Sequence, residues 1–280
     1  RREIKLRVRE IKMKIKKLFG ALLTAFILNG CVTTTNSPEY RSKLFSLYNS
    51  AVEDAIVATK ISEPKIYLIG YALWGGEDWS ENDVLVFKQA AEMVYPRKPF
   101  INFIFSNKEI NLPTKYPSFN HWLSDRTIDF VRKRITTDDI LVINYSSHAN
   151  QNYISVRVGT KKWKSLPVGY FARIINRFSD IETIVIADSC HAGALSDKIA
   201  RTNLTAIFAA SAERKSFGCT PLSNNTFFGS AFKQVLEQQK RNDKNIDWEY
   251  IFSKVLERIR DMESNEGVIP SEAFYVIGEN

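Results

Sequence analysis

The sequence predicts an α/β protein in which helices flank a mostly parallel sheet. Two short apolar runs, residues 140–145 and 183–187, are rich in β-branched side chains and contain neither Gly nor Pro, as is typical of buried parallel strands. Segments with helical spacing alternate with such runs along the chain, which indicates successive βαβ units. The 280 residues are 44% hydrophobic and 25% charged, so the chain can bury a large core.

Each element follows from its local pattern and from the residues that interrupt it. Segments rich in Pro, Gly and Asn separate the apolar runs and mark the loops. The predicted strands cover residues 65–70, 100–105, 140–145, 183–187, 203–210 and 274–277, with a β-hairpin over 153–163. Apolar residues spaced three and four apart predict helices over residues 38–60, 80–94, 120–135, 167–178, 226–239 and 246–262.

The amino-terminal residues have the pattern of a secretory leader. A basic segment, 14–17, precedes an apolar run of about a dozen residues, which is too short to span a bilayer. The sequence LNGC that ends at Cys31 resembles the bacterial lipobox, in which cleavage precedes a cysteine that is lipidated. Met13 is an alternative start of translation. We therefore expect three parts: a leader over 1–30, a tether and helix over 31–60, and one catalytic domain over 61–280.

A lipid on Cys31 would anchor the chain to a membrane of the bacterial cell envelope. Val32 is not the aspartate that tends to retain bacterial lipoproteins at the inner membrane. We therefore expect the outer membrane, with the domain facing the oxidising periplasm.

The net charge of +8 is concentrated at the amino terminus. Residues 1–17 carry nine basic and two acidic side chains, so they hold seven of the eight net positive charges. The later cluster KKWK, residues 161–164, lies between a predicted strand and a helix start, which favours a solvated loop. We therefore expect no nucleic-acid partner.

A histidine and a cysteine follow the two most clearly predicted strands. His148 comes three residues after the first run, and Cys190 comes three residues after the second. Because the carboxyl ends of parallel strands form the ligand-binding edge of an open α/β sheet, both side chains are expected there. A thiolate that attacks a carbonyl carbon and an imidazole that transfers the proton are the groups of a cysteine hydrolase. The sequence therefore predicts Cys190 as nucleophile and His148 as general base.

The other cysteines and histidines fit these roles less well. Cys31 belongs to the leader, and Cys219 lies in a loop with no apolar strand before it. A disulfide between Cys190 and Cys219, or two inert thiols, is the structural alternative. His191 adjoins the nucleophile, but neighbouring side chains tend to point apart. His121 is expected at the surface or as a helix cap.

Supporting groups are less well specified by the sequence. The backbone N–H groups of Cys190 and Ala149 are the natural donors for an oxyanion. A side chain that orients the histidine is not essential for a thiol nucleophile, and Asn144 and Glu77 both remain candidates. No metal-ligand spacing and no phosphate-binding glycine loop is present in the sequence, so no cofactor is expected.

Five segments resemble the legumain-type cysteine peptidases, the family of asparaginyl endopeptidases, and in particular its bacterial branch. In chain order they are 145–149 (YSSHA), 188–193 (DSCHAG), 209–219 (AASAERKSFGC), 226–232 (TFFGSAF) and 270–272 (PSE). The resemblance spans about residues 65–278. It implies a caspase-like fold, which is a three-layer sandwich of helices around a mostly parallel sheet. It also implies Cys190 as nucleophile and His148 as base.

The resemblance further implies which residues bind substrate. Asp188 and Ser216 would help to line the primary specificity pocket, where an acid suits Asn, as in legumains, or Arg and Lys, as in metacaspases. The family usually has Gly where this chain has Ala149, and Ala resists positive φ, so impaired oxyanion geometry is an expectation to test. Legumains carry an acid that contacts substrate at the position of Ser230, so strict Asn specificity is not expected.

These observations predict a cysteine endopeptidase that hydrolyses peptide or protein substrates through a thioester on Cys190, after Asn or Arg/Lys. One alternative is a transpeptidase or transamidase that passes the same acyl group to an amine. Another is a lipoprotein with a degenerate site that acts as a binding or scaffold module, and Ala149 is the feature that favours it. The sequence leaves the oligomeric state open.

Overall fold

A six-stranded sheet forms the centre of the protein in the computed structural model. The structure describes residues 37–108, 115–159, 163–200, 202–239 and 246–278. The helices are α1 (Pro38–Ala58), α2 (Trp79–Val94), α3 (His121–Arg132), α4 (Val168–Asn176), α5 (Phe227–Gln239) and α6 (Trp248–Glu266), with a 3₁₀ helix at Ala192–Lys198. The strands are β1 (Ile66–Ala72), β2 (Phe100–Ser106), β3 (Ile140–Ser146), β4 (Tyr153–Arg157), β5 (Trp163–Pro167), β6 (Glu182–Asp188), β7 (Leu204–Phe208) and β8 (Phe274–Ile277).

The strand order of the sheet is β2-β1-β3-β6-β7-β8, and β4 and β5 form a separate hairpin. The first five strands are parallel, and β8 pairs antiparallel with β7. The register places Ala72, Ser146 and Asp188 side by side at the carboxyl ends of β1, β3 and β6. The strands that precede His148 and Cys190 are therefore direct neighbours, and they end in the same row.

Helices α2, α5 and α6 cover one face of the sheet. Alternate strand residues such as Leu68, Val142 and Ile184 point to this face and pack in one core with Phe87 and Phe232. Their period of two is the pleat of a strand, which sends successive side chains to opposite faces.

The opposite face carries aromatic side chains and packs against α3 and α4. Tyr71 and Tyr145 contact Phe171 of α4, with ring centroids 5.1 and 4.7 Å apart. Phe103 contacts Phe130 of α3 at 5.5 Å. With helices on both faces of a mostly parallel sheet, the predicted α/β class is confirmed.

The structure differs from the predictions in several local features. The hairpin is longer, since β5 runs to Pro167, and α4 begins only at Val168, whose N–H donates to the Asn152 carbonyl at 2.9 Å. Proline is tolerated at the edge of a sheet, so here it ends a strand instead of starting the helix. His121 is exposed as expected, but it is not the cap of α3. That cap is Asn120, whose side chain accepts from the Trp122 N–H at 2.9 Å.

The chain divides into two units, residues 1–41 and 42–280. Of the first unit the structure describes residues 37–41, and α1 begins there at Pro38. The predicted leader, the lipidation site at Cys31 and most of the tether lie outside the described residues. Within the described part of the chain, none of the helices has both the length and the apolar character that a membrane crossing requires.

Candidate active site

The carboxyl edge of the sheet brings together the loops that follow β1, β3 and β6. His148 and Cys190 each lie two residues beyond the paired strand ends Ser146 and Asp188. Ser147 continues the contact between the two loops, because its N–H donates to the Asp188 carbonyl at 3.1 Å. The predicted histidine and cysteine therefore leave adjacent strands at one level.

His148 is half-buried against the edges of two tryptophan rings. Its ring centroid lies 4.5 Å from that of Trp74 and 5.2 Å from that of Trp79. Burial lowers the pKa of His148, the carboxylate of Glu77 raises it, and the guanidinium of Arg157 lowers it again. The net shift is downward, so the imidazole is neutral at neutral pH and able to accept a proton.

The β4–β5 hairpin fixes the loop that carries His148. The Ser155 N–H donates to the His148 carbonyl at 2.8 Å, and Ala149 forms an antiparallel bridge with β4. At the end of the same strand the Arg157 N–H donates to the Leu73 carbonyl at 2.8 Å. Strand β4 therefore ties the loop after β3 to the loop after β1.

Of the two residues considered for orienting His148, the structure places Glu77 beside it. Glu77 accepts a hydrogen bond from Trp79 Nε1 at 2.6 Å, and its charge acts on the imidazole. Asn144 lies farther back, fully buried over Gly70 in the middle of the sheet, and its amide has no hydrogen-bond partner among the described residues. We therefore assign the electrostatic influence on His148 to Glu77.

Replacing Glu77 by glutamine is expected to lower the pKa of His148, because the substitution removes the negative charge that favours imidazolium. Glutamine keeps an acceptor for Trp79 Nε1, so the loop should stay in place. The pKa can be read from the ring-proton chemical shifts of His148 during an NMR titration. Asp78→Asn is the matched control, since that exposed neighbour pairs with Lys108 at 3.0 Å. An unchanged titration of His148 in Glu77→Gln contradicts the assignment.

Cys190 lies half-buried in the turn that follows β6. Its thiol is 3.6 Å from the Ser216 carbonyl oxygen, to which it donates, and 3.8 Å from the Ser216 hydroxyl. The turn is sharp, because His191 has a positive φ of 55° and the 3₁₀ helix starts directly after it. Gly193 lets the turn approach the loop after β7, since a Cβ there would come within 2.7 Å of the Ala212 nitrogen.

His191 is engaged with the backbone of the loop after β7. Its ring Nδ1 lies 2.8 Å from the Ala212 carbonyl oxygen, and its N–H donates to the Arg214 carbonyl at 2.8 Å. Arg214 in turn pairs with Glu272 at 3.0 Å. Through these contacts His191 anchors the turn that carries Cys190.

Cys190 and Cys219 are both free thiols in this structure, so the disulfide considered from the sequence is not formed. Burial, together with the nearby Cys190, Asp188 and Glu77, raises the pKa of Cys219 to about 11. Cys219 therefore lies close to the same edge of the sheet, but it is almost entirely protonated at neutral pH and is a poor nucleophile.

Sequence reasoning missed one charged residue of this region, Asp83 of α2. Asp83 is fully buried and faces Asp188, which is 1% exposed. The Ser146 hydroxyl lies 2.7 Å from Asp188 Oδ2 and 3.4 Å from Asp83 Oδ2. The sequence did contain a sign that Asp83 is buried. It lies four residues before Phe87 and therefore on the apolar face of its helix.

The amino terminus of α5 completes the surroundings of the two carboxyls. Thr226 donates from its hydroxyl to Asp188 Oδ2 and from its N–H to Asp83 Oδ2, both at 3.2 Å. The same hydroxyl accepts from the Gly229 N–H at 2.9 Å, which caps the helix. Gly229 packs directly on Asp83, since a Cβ there would lie 1.7 Å from Oδ1.

The remaining predicted residues fall in different places. Asp188 lies beneath the cysteine turn, and Ser216 contacts the thiol itself. Ser230 lies within the first turns of α5, where its N–H donates to the Thr226 carbonyl at 2.8 Å, a bond within the helix. The described non-glycine residues with positive φ are His191, Asn203 and Glu272, so Ala149 does not need the conformation for which glycine is usual.

Comparison with protein-family models identifies the class of this site. The model of the peptidase C13 family matches residues 127–278, which is more than half of the chain and includes His148 and Cys190. The chain belongs to the peptidase C13 family. This peptidase is therefore a cysteine endopeptidase of the legumain type. The match begins after α2, so Asp83 and Glu77 lie outside it.

A solved structure agrees on the fold. The crystal structure of caspase-1 from Spodoptera frugiperda is similar with a TM-score of 0.50 and 8% sequence identity, covering 77% of this chain and 87% of that one. At this identity the likeness shows the fold alone, and the predicted caspase-like fold is confirmed. A comparison with curated proteins found no match.

Proposed function

We propose that this peptidase cleaves peptide bonds with Cys190 as nucleophile and His148 as general base and acid. The thiol proton passes to His148 as sulfur bonds to the carbonyl carbon, and the imidazolium then returns the proton to the leaving amine. The resulting thioester is hydrolysed by a water molecule whose proton His148 accepts. The register of β3 and β6, which ends both strands in one row, is the observation that carries this proposal.

Electrostatics supports the same division of roles. The lowered pKa of His148 leaves it able to accept a proton at neutral pH. The raised pKa of Cys219 argues against that thiol as nucleophile. For the oxyanion we propose the backbone N–H groups of Cys190 and Ala149, and the negative φ of Ala149 removes the main objection to the latter.

For the residue that precedes the scissile bond, the proposed preference is a polar or basic side chain, either Asn or Arg/Lys. Asp188 lies two residues before the nucleophile and Ser216 contacts its sulfur, so both are suitable for lining that pocket. Ser230 stays a candidate for substrate contact from α5.

The decisive experiment combines a fluorogenic peptide library with identification of the reactive thiol. The full chain in reducing buffer is offered peptides varied at the residue before the scissile bond, and is then treated with a peptidyl chloromethyl ketone. We expect turnover that stops on treatment, with the label on Cys190 and not on Cys219. Added amines that divert the product to an aminolysed peptide would identify acyl transfer. The absence of both turnover and labelling would indicate a binding or scaffold module.

We also propose that Cys31 is lipidated and that the protein is anchored in the outer membrane, facing the periplasm. The lipobox-like sequence that ends at Cys31 supports this proposal. Metabolic labelling with a fatty acid in a bacterial host is expected to mark the wild-type protein and not Cys31→Ser. Equal labelling of both contradicts it.

A further inference from the structure

We propose that the Arg157 guanidinium binds a carboxylate of the leaving peptide, carried by the first or second residue after the scissile bond. The inference rests on the proposed function, since it names a chemical group that the substrate of the same site would carry. It concerns the leaving side of the scissile bond, whereas Asp188 and Ser216 were proposed for the residue that precedes it.

Arg157 lies one aromatic ring away from the proposed base. Its Cζ is 4.9 Å from the centroid of the Trp74 ring, and that centroid is 4.5 Å from the centroid of the His148 ring. The charge of Arg157 acts on the imidazole, as does the opposite charge of Glu77. The end of β4 therefore places a cation beside His148.

The backbone holds Arg157 in this position before any substrate binds. Its N–H donates to the Leu73 carbonyl, and its own carbonyl accepts from the Gly75 N–H, both at 2.8 Å. Gly76 lets the guanidinium lie against the chain, since a Cβ there would come within 2.8 Å of Arg157 Cζ. The guanidinium is thus fixed between Gly76 and the Trp74 ring, and such preorganisation favours binding because little ordering is left to do.

The guanidinium of Arg157 has no carboxylate partner among the described residues, where it makes neither a hydrogen bond nor an ion pair. The nearest acids of the loop after β1 and of α2 are engaged elsewhere. Glu77 accepts from an indole N–H at 2.6 Å, and Asp78 and Glu81 pair with Lys108 at 3.0 and 3.4 Å. A half-buried guanidinium of this kind can bind a carboxylate through two parallel N–H···O bonds.

The leaving side of the substrate lies on the side of His148. In the proposed reaction the imidazolium gives its proton to the leaving amine, so that nitrogen must come within hydrogen-bonding reach of the ring. An extended peptide advances about 3.4 Å per residue, so its first two residues after the scissile bond can reach a cation one ring beyond the base. The carboxylate can be an aspartate or glutamate side chain, or the carboxyl terminus of a short leaving peptide.

A carboxylate bound to Arg157 would also change the base. The Arg157 charge lowers the pKa of His148 and the Glu77 charge raises it, while the tryptophan rings packed against the imidazole are uncharged. Neutralising the guanidinium removes the lowering influence, so the pKa of His148 should rise in the complex. Since imidazolium cannot accept the thiol proton, the acidic limb of kcat should lie at higher pH with an Asp peptide than with the matching Asn peptide.

The test uses internally quenched peptides that share the best residue before the scissile bond and differ after it. Asp is compared with Asn at the first and second positions, and each peptide is made with a free and with an amidated carboxyl terminus. We expect kcat/KM of the wild type to be about 10-fold higher where a carboxylate is in reach, and this preference to shrink with added salt. A preference within the amidated set identifies an acidic side chain as the ligand, and a preference for the free terminus identifies the α-carboxylate. Equal rates for all of these peptides would overturn the site.

Arg126 of α3 provides the matched control for Arg157. Its Cζ also lies over a tryptophan ring, 4.4 Å from the Trp122 centroid, but it is not among the charges that act on His148. In Arg157→Gln we expect the carboxylate preference to fall close to one. Arg157→Lys, which keeps the charge without the fork, should retain part of it, and Arg126→Gln should keep all of it. A preference that survives in Arg157→Gln, or that falls equally in Arg126→Gln, contradicts the proposal.

Binding to the full-length Cys190→Ala variant separates this inference from the proposed function. Fluorescence anisotropy of the labelled peptides should show tighter binding of the Asp form than of the Asn form, and adding Arg157→Gln to that variant should remove the difference. Turnover that depends on Cys190 but shows no carboxylate preference would overturn the Arg157 site and leave the mechanism standing. Carboxylate-dependent binding through Arg157, without turnover by the wild type, would support the site and overturn the mechanism.

Discussion

Replacement of Cys190 by alanine is expected to reduce peptide cleavage to background, a loss of at least about 10⁴-fold in kcat. Alanine leaves the turn after β6 and its backbone N–H in place but removes the sulfur that forms the thioester. Among the described residues the hydrogen bonds of the half-buried thiol are the two long ones to Ser216, so the fold should persist. The measurement is steady-state turnover of the best library peptide, with thermal melting to verify folding.

Cys219→Ala is the matched control for this prediction. It removes the other thiol of the same region, whose pKa is raised to about 11 by burial. We expect its kcat to stay within a few-fold of wild type, because a protonated thiol contributes little as a nucleophile. The reverse result, in which Cys219→Ala is inactive and Cys190→Ala is not, would exchange the two assignments.

Replacement of His148 by alanine is expected to lower kcat/KM by about 10²–10⁴-fold, the usual range for loss of a general base. The wild-type rate should fall as the pH drops through the pKa of His148, since imidazolium cannot accept the thiol proton. Because burial places that pKa below its ordinary value, the wild type should keep activity into mildly acidic buffer. His148→Ala should lose this acidic limb. The measurement is kcat/KM as a function of pH.

His191→Asn provides the control for His148. Asparagine tolerates the positive φ of 55° at this position, so the turn can be retained while the imidazole is removed. We expect the variant to keep the acidic limb of the wild-type profile. Should His191→Asn lose that limb while His148→Ala keeps it, His191 and not His148 would be the base.

The parallel strands and the residues at their ends were predictable because their signals are local. A run of β-branched residues without Gly or Pro can be recognised in six residues, and the first polar groups after it must emerge at the sheet edge. His148 and Cys190 were found in this way. The extension of β5 to Pro167 and the 3₁₀ helix after Cys190 were not predicted, because proline and small residues give no periodic pattern.

The sequence by itself therefore determined the class of the sheet and the candidate nucleophile and base. Tertiary structure decided which side chains surround them. Asp83 lies 105 positions from Asp188 in the chain, yet β3 and the start of α5 place the two carboxyls in one buried unit. Likewise the choice of Glu77 over Asn144 depended on which loop folds over His148. Burial and charge act through space, so a residue's neighbours, and with them its pKa and its role, are fixed only when the chain has folded.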